Sequence, residues 1–285
     1  MNAFIGMGLV FGCVLLGYLM EHGNLSVLVQ PAELVIIGGA AVGALVISLP
    51  GKLLTLVLRD IKKIFIHKSP TKDDYINLLV LLYDLCSKVR REGILSLEND
   101  IEDPQKSEIF RKHKEVVEDH EVMDFLRDNF RVIVMGVQTN DVAEILEIDL
   151  ECSRREAMIS SQSLARTADA LPGLGIVAAV MGVVLTMGKI SEPPAILGAS
   201  IGAALVGTFL GVLLCYGFVG PMATNLEFKV KQKEVYFNVI KTALQHFENS
   251  PIVVIEMARR EIPSLERPSF KEFEDIKSKW KTKKE

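Results

Sequence analysis

Four long apolar stretches, residues 4–20, 34–50, 171–188 and 195–220, constrain this chain more than any other feature. None of them carries a carboxylate or a basic side chain in its interior. A helix of that length crosses the hydrocarbon core of a bilayer, so the expected fold is an all-α polytopic membrane protein with four transmembrane helices. Membrane proteins that move ions usually hold a buried carboxylate or base of their own. If this chain moves ions, the titrating group is therefore expected to come from elsewhere.

The rest of the composition describes segregation. Hydrophobic residues make up 49% of the 285, yet 24% are charged, so greasy blocks alternate with strongly polar ones. The net charge of −4 decides little, because the charge is unevenly spread. Cys13, Cys86, Cys152 and Cys215 lie far apart with no CxxC spacing and read as reduced thiols. The histidines (His22, His67, His113, His120, His246) are dispersed, so no metal site is expected. His113 and His120, seven apart, are assigned to a solvated helix face. There is no P-loop, no GxGxxG after a strand, no HExxH and no nucleophile–base grouping. The chain is expected not to be an enzyme and to need no cofactor, and any work it does is expected to draw on an ion gradient.

Charge sets the expected topology. The connection from Glu21 to Glu33 holds no Lys or Arg, and neither does the Ser191–Pro194 turn. The second stretch is followed by Lys52, Arg59, Lys62, Lys63 and Lys68, and the fourth by Lys229, Lys231 and Lys233. The positive-inside rule places both termini and the 51–170 block in the cytoplasm. No basic n-region precedes the first stretch, so it is expected to stay as a helix. The expected organisation is 1–50, spans one and two with a short periplasmic loop; 51–170, a helical cytoplasmic domain; 171–221, spans three and four; and 222–285, a C-terminal helix and charged tail.

Small residues recur at four-residue spacing: Gly39 and Gly43, Gly175 and Ala179, Gly198 and Gly202, Gly207 and Gly211. That spacing lets helix backbones approach, either within one subunit or between subunits. Pro172 and Pro221 lie at the cytoplasmic ends of the two Gly-rich spans. Pro172 reads as a helix start, and Pro221 as a kink between two helical runs. Thr186 and Thr208 are the main hydroxyls, which either bond back to their own helix or line an ion path.

The 51–170 block reads as helical. Residues 51–68 look like a basic helix at an anionic lipid surface. Residues 73–93 follow as a helix ended by Gly93. A short helix near Ser96 ends before Pro104, and helical patterns cover 106–122 and 123–137. Asp141 caps a long helix through Ser163. Arg90, Arg91 and Glu98 bracket the Gly93 turn, as a solvated tip or as a surface for a partner of complementary charge. The tail from Pro263 is expected to be disordered or loosely helical.

These pieces resemble a known family. Leu171-Pro-Gly-Leu-Gly-Ile-Val-Ala-Ala-Val-Met-Gly-Val-Val184 is similar to the third-span signature of MotA, the membrane subunit of the bacterial flagellar stator. Residues 203–221, AALVGTFLGVLLCYGFVGP, resemble its fourth span, and Arg90-Arg-Glu-Gly-Ile-Leu-Ser-Leu-Glu98 its cytoplasmic torque segment. The likeness runs to about residue 260. It implies a pentameric ring of this chain around a dimer of the single-span protein MotB, which supplies the ion-binding aspartate and grips peptidoglycan. The setting is the bacterial inner membrane, with roles in flagellar rotation and chemotaxis and no nucleic-acid partner. It implies contact of Arg90, Glu98 and Arg91 with the rotor protein FliG. It places Pro172 and Pro221 at the coupling of ion passage to movement, and Ala179, Thr186 and Thr208 along the ion path. Sodium-type relatives carry Thr seven residues after the third-span proline and a Thr pair in the fourth span. Here those positions read Ala179 and Gly207–Thr208, which favours H+ over Na+, since a hard cation wants several oxygens. The alternatives are an ExbB/TolQ-type energiser of outer-membrane processes and a sodium-driven PomA-like stator.

Overall fold

The computed structural model describes residues 2–66 and 70–275. His67, Lys68 and the charged end of the tail lie outside the described residues. Among the described residues twelve α-helices follow one another: α1 (Asn2–Met20), α2 (Leu25–Leu28), α3 (Pro31–Ser48), α4 (Gly51–Ile66), α5 (Lys72–Glu92), α6 (Glu98–Glu102), α7 (Lys114–Glu118), α8 (His120–Val134), α9 (Thr139–Met187), α10 (Pro194–Leu213), α11 (Gly220–Gln245) and α12 (Pro251–Arg260). No described residue belongs to a strand. Among the described residues four segments are long and apolar enough to cross a membrane, with mean hydropathies of 2.2, 1.9, 2.1 and 2.1; they lie in α1, α2–α3, α9 and α10–α11. The chain divides into two compact units, residues 1–67 with 157–228 and residues 68–156 with 229–285.

The first unit holds α1–α4, the end of α9, α10 and the start of α11. Proline opens α3 and α10, where a missing N–H removes no helical bond. Its outer surface is apolar: Leu9, Val35, Val184 and Leu205 are all at least half exposed. A water-soluble protein does not expose such a surface over several helices. The basic helix α4 turns one face inward, with Val57 and Ile64 buried. Ile64 joins Leu164, Ala223 and Leu226 in one cluster. Asp60 of α4 accepts a 2.6 Å bond from Ser160 and pairs with Lys63 at 3.0 Å, so a partly buried carboxylate is held from two sides.

The second unit is built on α5. A capping box at Thr71 and Asp74 starts this helix. Leu78, Leu79, Leu81, Leu82 and Leu85 are all essentially inaccessible, so neighbours surround α5 rather than covering one face. Those neighbours include α12, which the sequence reading did not anticipate. Its signal was present: Pro251 at the first helical position and Arg259–Arg260 in the last turn.

Five expectations need correction. The helical pattern at 106–122 is broken into a 3-10 turn, Phe110–Lys112, and the short α7; Asp119 then caps α8 by accepting from the N–H groups of Glu121 and Val122. His113 is 3% exposed, not on a solvated helix face, because it lies in the non-helical joint between those pieces. As far as Asp275, the last residue described, the tail is packed rather than loose. Phe273 is buried in the core, and Lys72 donates a 2.7 Å bond to Glu272. Pro172 does not start a helix, since α9 runs unbroken for 49 residues with the proline inside it. Finally, the second span begins early enough to include Glu33, so this residue is not part of the connecting loop.

Candidate functional site

In the first unit, α9 and α10 meet along a seam of small residues. A Cβ built on Gly211 would lie 2.6 Å from the Leu171 carbonyl oxygen and 2.9 Å from the Cα of Gly175. One on Gly207 would lie 3.2 Å from the backbone nitrogen of Ala179, and one on Gly182 would lie 2.7 Å from the Cβ of Ala204. Backbone therefore touches backbone over about three turns, from beside Pro172 to Gly182. This settles half of the packing question. Gly175, Gly207 and Gly211 serve contact within the chain, whereas Gly39, Gly43 and Gly198 have nothing within 4 Å.

The predicted path residues fall on or beside this seam. Ala179 is buried, and Thr208 is half-buried next to Gly207. Thr186 is 4% exposed and donates a 2.9 Å bond to the Gly182 carbonyl four residues back, which is the local pairing expected of a membrane threonine. Pro172 removes one N–H from the α9 ladder where Leu171 packs against Gly211.

Pro221 has a different consequence. Residues Leu214–Val219 form a π-helical turn, in which the Gly220 N–H bonds to the Cys215 carbonyl five residues back. A proline has no N–H, and its ring crowds the carbonyl four residues before it. Widening the preceding turn relieves both problems. A side chain on Gly220 would come within 2.8 Å of that same Cys215 oxygen, so glycine is required there. The exposed Pro221 borders a cavity of about 720 Å³ whose lining includes Asp169, Cys215, Thr224 and Asn225. The Asn225 side-chain oxygen is buried there without a partner.

A carboxylate that sequence reasoning missed lies in the same helix group. Glu33, Ile37 and Ala41 are spaced by four and form the buried face of α3. Glu33 is 8% exposed. Its Oε2 faces Gly207 so closely that a Cβ there would be 2.5 Å away, while a Cβ on Gly182 would be 3.7 Å from Oε1. Oε2 has no hydrogen-bond partner. The sequence signal was Pro31: a proline at the first helical position makes Glu33 part of the first turn.

The second unit carries the charged tip. Arg90 and Arg91 occupy the last turn of α5, and Gly93 follows at φ 84°, ψ 166°, a region open essentially to glycine, with its N–H on the Val89 carbonyl. A 3-10 turn, Ile94–Leu97, leads to Glu98 at the start of α6. Two features fix this tip from inside. Leu97 and Ile101 are buried, and Lys88 pairs with Asp100 at 2.5 Å. Arg90, Arg91 and Glu98 are left exposed, and among the described residues none of them has an ion-pair partner. In the joint beyond α6, burial and then the neighbouring Lys112 charge hold the His113 imidazole down to about 4, so it is neutral at physiological pH.

Comparison with known proteins is consistent along the chain. Residues 4–93 match the family described as Motility protein A N-terminal, and residues 117–238 match the MotA/TolQ/ExbB proton channel family. The chain is 41% identical over 278 residues to Motility protein A of Salmonella typhimurium and, over the same length, to that of Escherichia coli. Each match covers 96% of this chain and 94% of the relative. In three dimensions it is similar to a solved structure of C. jejuni MotAB, with a TM-score of 0.77 and 19% identity, covering 92% of this chain and 96% of that one.

Proposed function

The chain belongs to the Motility protein A family, within the MotA/TolQ/ExbB proton channel family, and from that premise we propose that it is the ion-conducting, torque-generating stator subunit of a flagellar motor. It sits in the bacterial inner membrane with both termini in the cytoplasm. Five copies surround two copies of a single-span MotB-type partner, whose membrane aspartate carries the ion. The 41% identity over 96% of the chain carries this reading.

The geometry supports a division of labour. The α9–α10 seam is stiff, because bare backbones in contact leave nothing to compress. Pro172 and the π turn before Pro221 are the places where the helical ladder is interrupted. Neutralising and recharging the partner's aspartate beside these helices biases them between two arrangements, and the interruptions are where the change is absorbed. The outward charges Arg90, Arg91 and Glu98 have no ion-pair partner among the described residues, so they are available to a rotor protein of the FliG type. Electrostatic contact of this kind favours fast engagement and release over tight binding. The transported ion is the proton, since Ala179 and Gly207 offer no hydroxyl where a sodium ion would need oxygens. The match of residues 4–93 to the motility-specific N-terminal family favours the stator over an ExbB/TolQ-type energiser.

The test is complementation. A swimming-defective host lacking its own stator subunit receives this chain with its single-span partner. Restored swimming is expected. An inserted pair that conducts ions yet leaves the cells motionless would count for the energiser reading, and the stator reading would fall.

A further inference from the structure

We propose that Glu33 is a proton-binding site belonging to this chain itself, seated between Gly182 of α9 and Gly207 of α10 and exchanging its proton with water at the start of α3. The location of that water on the periplasmic side rests on the stator topology above; the site does not.

The observations converge on a carboxyl group built into the bundle. Glu33 lies on the same α3 face as Ile37, which is wholly buried, and Ala41, and it is itself 8% exposed. Its Oε2 has no hydrogen-bond donor. Room for it exists because position 207 lacks a side chain: a Cβ there would stand 2.5 Å from Oε2. An isolated carboxylate in such surroundings costs far more than a neutral carboxyl, so the group is kept there by holding a proton.

Among the described residues no basic partner holds it ionised instead. Glu33 is the one ionisable residue of α3; α2, residues 178–187 of α9 and all of α10 contain no Asp, Glu, His, Lys or Arg. A metal cation in place of the proton is disfavoured by the same inventory. Facing the carboxyl are glycine and alanine, and the Thr186 hydroxyl is already engaged with the Gly182 carbonyl. A hard cation needs several free oxygens, whereas a proton needs one. Glu33 lies three residues from Gln30, where the chain enters the helix, so the route to water is short. The step is simple: the carboxyl O–H bond breaks, the proton passes to water, and a carboxylate remains against Gly207. That unpaired charge weakens the seating of α3 on α10. Proton occupancy of Glu33 thus ties helix packing to the pH outside.

The experiment uses the complete complex with the single-span partner. Infrared difference spectra of the purified complex, recorded in H2O and D2O, should show the C=O stretch of an un-ionised carboxyl that is absent from Glu33→Gln and shifted in Glu33→Asp. In the complemented host, swimming speed of the wild type should fall as the medium is made alkaline. Glu33→Gln, which is neutral at every pH, should flatten that part of the decline, and Glu33→Asp should restore it. Spectra unchanged by both substitutions, or superimposable pH profiles of wild type and Glu33→Gln, would overturn the proposal. Should Glu33→Gln fail to insert, the band shift in Glu33→Asp decides. Should the wild type itself fail to restore swimming, the stator reading falls, and the infrared measurement still tests Glu33.

Discussion

Arg90 and Glu98 are exposed, while the structure beneath them is held by Leu97, Ile101 and the Lys88–Asp100 pair. Removing or reversing an exposed charge with no partner alters stability by no more than about 0.5 kcal/mol. Arg90→Glu and Glu98→Lys are therefore expected to leave folding and ion leak unchanged while weakening rotation. A matching reversal on the rotor should restore part of the speed; tethered-cell rotation reads both effects, and absence of rescue would point to a structural role. Burial, not exposure, decides His113. Its folded-state pKa of about 4 lies below the ordinary 6.5, so the neutral form stabilises the fold. That contribution is complete above pH 6.5 and is lost as pH falls toward about 4. Its full size is on the order of 3 kcal/mol, from the drop from 6.5 to about 4 at roughly 1.4 kcal/mol per pKa unit. Denaturant unfolding of the purified chain should lose stability across that window, and His113→Gln should remove that part of the slope.

At the scale of elements, the informative objects are two helices that each carry a proline and one seam. Pro172 sits inside α9 and has no N–H to donate, so Pro172→Ala restores a ladder bond and stiffens the helix. The expected result is a chain that inserts and assembles at normal levels without supporting swimming. Swimming at wild-type speed would show that the interruption is incidental. The seam makes a sharper prediction, because both of its sides are backbone. Gly211→Val pushes a side chain into the Leu171 carbonyl and Gly175, neither of which can move without parting α9 from α10. Gly39→Ala and Gly43→Ala meet nothing within 4 Å among the described residues. Membrane levels should therefore collapse for the first and hold for the other two. If Gly39→Ala or Gly43→Ala instead inserts normally but fails to form the multi-subunit complex, those glycines serve contact between subunits.

For the whole molecule, the two units pose different physical problems. The first exposes apolar side chains on several helices and keeps Glu33 between glycines. The second buries a conventional core around α5 and displays charge at its tip. Ion choice is a property of the assembled whole. Exchanging Na+ for K+ in the swimming buffer is expected to leave speed unchanged, and a collapse without Na+ would refute proton drive.

Spans, helical character and the charged tip were legible in the order of residues. Hydropathy over a span's length, a proline at a first turn and a glycine after a run of helix formers are local properties that act wherever the chain goes. The small residues of the third and fourth spans were legible too, because their four-residue spacing points to close helix contact, though not to which contact. What residue order could not reveal was which faces meet. The partition of glycines into those on the α9–α10 seam and those with nothing within 4 Å, the unbroken passage of α9 through Pro172, the docking of Phe273 and the enclosure of His113 all depend on a surface supplied by distant residues. Glu33 illustrates the boundary most directly. In the sequence it is an acid at the edge of a loop; only the approach of Gly207, more than a hundred and seventy positions later, removes it from water.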